Sequence, residues 1–152
     1  MSSNWLSFIP LDPNQVPDVA ARREVLELYR SFVPRADEVE ERVSAAPEFV
    51  GAGPNLERIT CPVCGRQIEF EWWGAAMNNA YSVGYGFTNL MVNVPCCGEH
   101  LSLNDLQYDW PAGFARFELR ARNPDVPNLP LEQTEMLEKT LGCKLKTIWT
   151  HI

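Results

Sequence analysis

Histidine is nearly missing from this chain, with only His100 and His151 among 152 residues. Hydrolytic zinc sites draw on His or carboxylate ligands and keep one position open for water. No His-Glu-x-x-His occurs, and no His-x-Glu precedes the one Pro-Cys-x-x-Cys-like stretch, so metalloprotease and nucleobase-deaminase chemistry have no signature here. Positive charge is scarce too: 13 Lys and Arg stand against 20 Asp and Glu, a net charge of −7. Between Cys61 and Trp110 the shortage is acute, since Arg66 is the single basic residue beside Glu69, Glu71, Glu99, Asp105 and Asp109. Phosphate neutralisation by Lys and Arg supplies most nucleic-acid affinity, which disfavours a nucleic-acid role for that stretch. No apolar run is long enough to span a bilayer, and Met1 to Pro10 has neither a basic start nor an apolar signal core. Gly84-x-Gly86 opens no helix and is no phosphate loop.

What the chain does have is sulfur in clusters. Cys61-Pro62-Val63-Cys64-Gly65 is answered by Cys96-Cys97-Gly98-Glu99-His100. Paired thiols beside a Gly fit tight turns that aim sulfurs at one tetrahedral metal, and Gly65 and Gly98 sit where a positive φ is wanted. Two ligand sets are open: Cys61, Cys64, Cys96 and Cys97, or Cys61, Cys64, one of the vicinal pair and His100. The first is favoured, because an all-thiolate closed site is structural. A redox Cys-x-x-Cys should open a helix, whereas Gln67 to Trp72 alternates with period two and reads as a strand through Trp73. Five cysteines without a secretory signal suit a reducing compartment, and Cys143 reads as a small buried hydrophobe. The expectation is a soluble protein of the bacterial cytoplasm.

Other elements follow from periodicity. Trp5 to Leu11 reads as a strand; Ala21, Val25, Leu28, Tyr29 and Phe32 share a helix face that opens near Pro17-Asp18. Ala36 to Ser44, rich in Asp and Glu, reads as a short solvated helix. Glu48 to Val50 and Leu56 to Thr60 read as one interrupted strand, Gly74 to Gly86 as a loop, and Thr88 to Val94 as a returning strand. Ser102 to Asp105 carries a capping pattern. Ala115 to Ala121 alternates as a strand, Met136, Leu137 and Leu141 point inward from a helix that Gly142 ends, and Cys143 to Ile152 closes as a strand.

Strand, loop and returning strand between two cysteine turns resembles the zinc ribbon, over roughly Thr60 to Leu103, with a departure at Cys96-Cys97. That resemblance implies a module held by a structural zinc ion and implies no ligand. Around it, strand, helix and strand occur twice, from Phe8 and from Phe117, each with an Asx-Pro and a Val-Pro between strand and helix. The expected architecture is therefore α+β, a ferredoxin-like split βαβ sandwich (1–60 and 111–152) with an inserted ribbon (61–110). Nine of 16 aromatic residues lie from Phe70 to Phe114. They either give a thin module a core or form an acidic, aromatic protein-binding surface, for which Trp72, Trp73, Tyr81, Tyr85, Tyr108 and Trp110 are the candidates. The first functional expectation is a non-enzymatic, zinc-stabilised protein that binds a basic protein partner, similar in kind to toxin-immunity proteins. The alternatives are a metal-dependent enzyme using His100 with Asp105 or Asp109, and a nucleic-acid-binding ribbon.

Overall fold

The computed structural model describes residues 3–152. Met1 and Ser2, the start of the segment searched above for a leader, lie outside the described residues. The chain runs through β1 (Asn4–Pro10), α1 (Val19–Phe32), β2 (Glu38–Val50), β3 (Ile59–Thr60), α2 (Phe70–Ala80), β4 (Tyr81–Ser82), β5 (Gly86–Phe87), β6 (Met91–Asn93), β7 (His100–Ser102), β8 (Gln107–Tyr108), β9 (Gly113–Arg122), α3 (Leu131–Leu141) and β10 (Leu145–His151). It is a mixed α+β fold. No helix among the described residues is long and apolar enough to cross a membrane.

Four strands form an antiparallel sheet in the order β10-β1-β9-β2. Leu6, Phe8, Phe117, Leu119 and Ala121 stand on the face that α1 and α3 cover, where Val25, Tyr29, Leu137 and Leu141 complete the core. The Tyr29 hydroxyl carried into this layer is satisfied, because it donates to the Leu6 carbonyl at 2.8 Å. Both helices take their ends from the sequence. The Asp18 side chain accepts from the Ala21 amide at 2.9 Å as N-cap of α1, and Gly142 turns left-handed at φ 78° to stop α3. Cys143 and Trp149 pack against this core. Met136, expected inward, is instead exposed on α3.

Two further expectations are corrected. Ala36 to Ser44 is no helix; from Glu38 it belongs to the long strand β2. The reason lies 80 residues away, since Glu38, Glu40 and Arg42 face Arg122, Arg120 and Glu118 of β9 across the ladder, and each opposite pair forms an ion pair. A charge run that looks like a wet helix is one half of a cross-strand code. The register then slips between Val43 and Glu48, where Pro47 can donate no ladder bond. The second correction concerns Gln67 to Trp73 and Gly74 to Gly86, read as strand and loop. Phe70–Ala80 is helix α2, and Tyr81 to Phe87 is the short hairpin β4-β5. Phe70, Trp73 and Met77 recur with helical spacing, as do Trp72, Ala76 and Ala80, and the alanines stabilise the helix. Glu48 to Thr60 likewise splits between β2 and β3, which belong to different sheets, and the returning strand shrinks to β6.

Around α2 a second core gathers Ile59, Cys61, Ile68, Phe87, Leu90, Val94, Leu101, Leu103 and Leu106. Its floor comes from the main sheet. Phe114 of β9 is fully buried there, with the Phe49 ring of β2 at 5.2 Å and the Phe87 ring at 5.0 Å.

Candidate metal centre

Each cysteine turn is closed by two backbone hydrogen bonds. In the first, the Gly65 amide donates to the Cys61 carbonyl at 3.0 Å and the Cys61 amide to the Arg66 carbonyl at 2.9 Å. In the second, Gly98 donates to Val94 at 2.9 Å and Val94 to Glu99 at 3.0 Å. Both glycines adopt φ 75°, a conformation that costs an L-residue roughly 1–2 kcal/mol. The hydrogen-bond register therefore aligns the two turns residue by residue: Cys61 with Val94, Pro62 with Pro95, Val63 with Cys96, Cys64 with Cys97, Gly65 with Gly98. This register explains the vicinal pair. The second turn carries a buried Val94 where the first has a thiol, and Cys96 supplies the missing sulfur from the position that exposed Val63 holds in the first.

The outcome is one cluster. The sulfurs of Cys61, Cys64, Cys96 and Cys97 all lie within 4.8 Å of one another; Cys61 is 3.9 Å from Cys97 and Cys64 is 3.2 Å from Cys96. A tetrahedral tetrathiolate site with metal–sulfur bonds of about 2.3 Å has sulfurs roughly 3.8 Å apart, so these four are placed to hold a metal ion. The Cys64 amide directed at the Cys61 sulfur brings that thiol down to about 7. The Cys64 sulfur beside Cys96, together with burial, pushes that thiol up to about 12. Crowded thiols resist sharing negative charge, and a cation among them removes the conflict.

The alternate ligand His100 is not in this group. It is exposed, and its Nδ1 pairs with Asn93 Oδ1 at 2.8 Å. Asp105 caps the turn at Ser102, as its sequence predicts, and Asp109 Oδ1 accepts from the Glu57 and Trp110 amides. No ion pair among the described residues joins either aspartate to His100. Nor does Cys61-x-x-Cys64 open a helix: α2 begins only at Phe70, so the motif lacks the helix-start placement of a redox pair, and the strand expected after it shrinks to the bridge of Gln67 with Thr60.

The six aromatic candidates for partner binding divide. Trp72, Trp73 and Tyr108 are half-buried against the second core. Trp73 Nε1 donates to the Tyr108 hydroxyl at 3.2 Å, which donates to the Leu103 carbonyl at 2.8 Å; burial raises the Tyr108 phenol above its ordinary value. Tyr81 and Tyr85 are exposed on the β4-β5 hairpin, and Trp110 is exposed with its ring edge-on to His151 at 5.7 Å. The sequence reading missed Val83, which at 89% is the most exposed large apolar side chain of the hairpin; its signal was Gly84 at φ 84°, a turn that pushes its neighbours into solvent. Comparison with protein-family models, curated proteins and solved structures gives no match for this chain.

Proposed function

We propose that the protein is a zinc-stabilised, non-enzymatic binding protein that takes a basic protein partner, in the manner of toxin-immunity proteins, in the bacterial cytoplasm. On this reading the ion among Cys61, Cys64, Cys96 and Cys97 is zinc, which favours closed tetrahedral thiolate sites and needs no open position for structural work. The fold is then a ferredoxin-like split βαβ sandwich, supported by the strand order β10-β1-β9-β2 with α1 and α3 on one face, and 61–110 is a ribbon-like insert between its second and third main strands in which α2 stands where the ribbon's first strand was expected.

One observation carries the functional part. Tyr85 is 71% exposed on a hairpin tip beside Val83, inside a segment that carries one Arg and five carboxylates. Isolated apolar side chains at a surface need no explanation, but a projecting tyrosine and valine on an acidic module suit recognition of a positively charged protein. The test is tagged holoprotein incubated with lysate of a bacterium that carries the gene, in parallel with Tyr85→Ala and Trp110→Ala. A basic protein retained by wild type and lost from Tyr85→Ala at unchanged melting temperature supports the proposal. Equal retention by wild type and both variants, or turnover of a small substrate that disappears in His100→Ala, overturns it.

A further inference from the structure

A groove of about 450 Å³ lies between α2 and β6. We propose that it takes an extended, positively charged segment of a partner protein as a strand added to β6, an inference that rests on the protein-binding reading above and gives the partner's contact its form.

The strand itself points there. Among the described residues β6 pairs with β7 alone, in the register Met91 to Ser102, Val92 to Leu101 and Asn93 to His100. Just beyond its ends, Leu103 donates to Leu90 at 2.9 Å and Val94 donates to Glu99 at 3.0 Å. Residues that bond across an antiparallel ladder alternate with residues that do not. Leu90, Val92 and Val94 are thus committed to the β7 side, and the peptide groups of Met91 and Asn93 turn to the opposite edge. The Met91 amide is taken by Asn89 Oδ1 at 3.1 Å. Among the described residues the Asn93 N–H and the carbonyls of Met91 and Asn93 have no partner, which is the donor and acceptor set an incoming strand needs.

The groove has room for that strand and a character that selects it. Across from β6, α2 presents Ala75, Ala76 and Ala80, so the helix stands back from the edge. Trp72 and Met91 give it apolar walls and Asn79 a polar rim. Glu71 lies in the first turn of α2 and Glu69 precedes it, in the segment with one Arg. The residues lining the groove are uncharged, and Glu71 stands one helical turn before Ala75 on the same stripe of α2, so an extended chain whose small apolar residue enters the groove and whose Lys or Arg reaches Glu71 matches these surroundings.

A phage-displayed library of random linear peptides, panned on the zinc-loaded protein, provides the probe. One selected peptide is then synthesised and titrated by fluorescence anisotropy. Binders enriched in Lys, Arg and β-branched residues are expected. Ala75→Arg fills the groove from an exposed position and should weaken the peptide at least tenfold at unchanged metal content. Asn93→Pro removes the outward N–H and should do the same. In the wild type, the Asn93 amide should gain hydrogen-exchange protection when peptide is added, which decides the matter even if a variant misfolds. A library without binders, or a peptide indifferent to Ala75→Arg that leaves Asn93 unprotected, overturns the proposal. If that peptide is instead lost in Tyr85→Ala, protein binding stands and the groove does not.

Discussion

Exchanging two residues of the second cysteine turn should move a ligand without losing the metal. Because Val94 occupies the place of Cys61, and Cys96 that of Val63, the double variant V94C/C96V rebuilds the second turn in the image of the first. The single variant C96V is the reference. Structural zinc binding contributes on the order of 10–16 kcal/mol, so removing one of four thiolates should cost roughly 3–4 kcal/mol, about a hundred- to a thousandfold in affinity. In the double variant a thiolate returns from position 94, whose backbone bonds of 2.9 and 3.0 Å match the 3.0 and 2.9 Å of the first turn. The remaining cost is the smaller volume of Cys in a buried site, about 1 kcal/mol. Competition for zinc against a chromogenic chelator, with elemental analysis of the purified protein, should therefore place V94C/C96V within about tenfold of wild type and C96V far below both. A double variant as weak as C96V would refute the correspondence between the turns.

Four other outcomes are expected. Chelating the metal, or Cys64→Ser, should collapse the near-ultraviolet signal of the aromatic residues around Phe87 and Phe114 as the second core loses its closure. Zinc affinity should rise from pH 6 to pH 8 in chelator competition: the Cys61 thiol near 7 and the Cys96 thiol near 12 are wholly or partly protonated at neutral pH in the metal-free protein, and each must release its proton to bind. Gly98→Ala meets open space within 4 Å but a φ of +75°, so denaturant unfolding of the zinc-loaded protein should show a loss of about 1–2 kcal/mol from backbone conformation alone. Ser7→Ala deprives buried Glu118 of the hydroxyl that donates to it at 2.7 Å and should lower stability by about 1–3 kcal/mol in the same assay.

The parts of this molecule that could be read in advance are those whose signals are local. Asp18 and Gly142 announce the ends of helices, Ser102 and Asp105 a cap, and Cys61-x-x-Cys64-Gly65 a metal-binding turn, because each acts on atoms a few residues away. β2 could not be read that way. Glu38, Glu40 and Arg42 mean strand only once Arg122, Arg120 and Glu118 stand opposite them. The alternation from Gln67 to Trp72 runs across the start of α2 at Phe70: Gln67 is extended and bridges Thr60, and only the alanines and Met77 further on mark the helix. The role of Cys96 is half legible: its spacing marks the thiol as a ligand candidate, but the reason two cysteines adjoin appears only when Val94 is seen in the position of Cys61.

Phe49 and Phe114 sit at the far ends of neighbouring strands, where one layer of the molecule runs on beneath the other. A piece cut at the cysteine turns would leave both rings facing water, and the remaining sheet would become sticky rather than self-sufficient. With an ion among the four sulfurs, its supply would govern more than the corner that holds it. A cell short of it would accumulate chains whose main sheet is paired but whose aromatic floor lies open, the form that proteases and chaperones meet first.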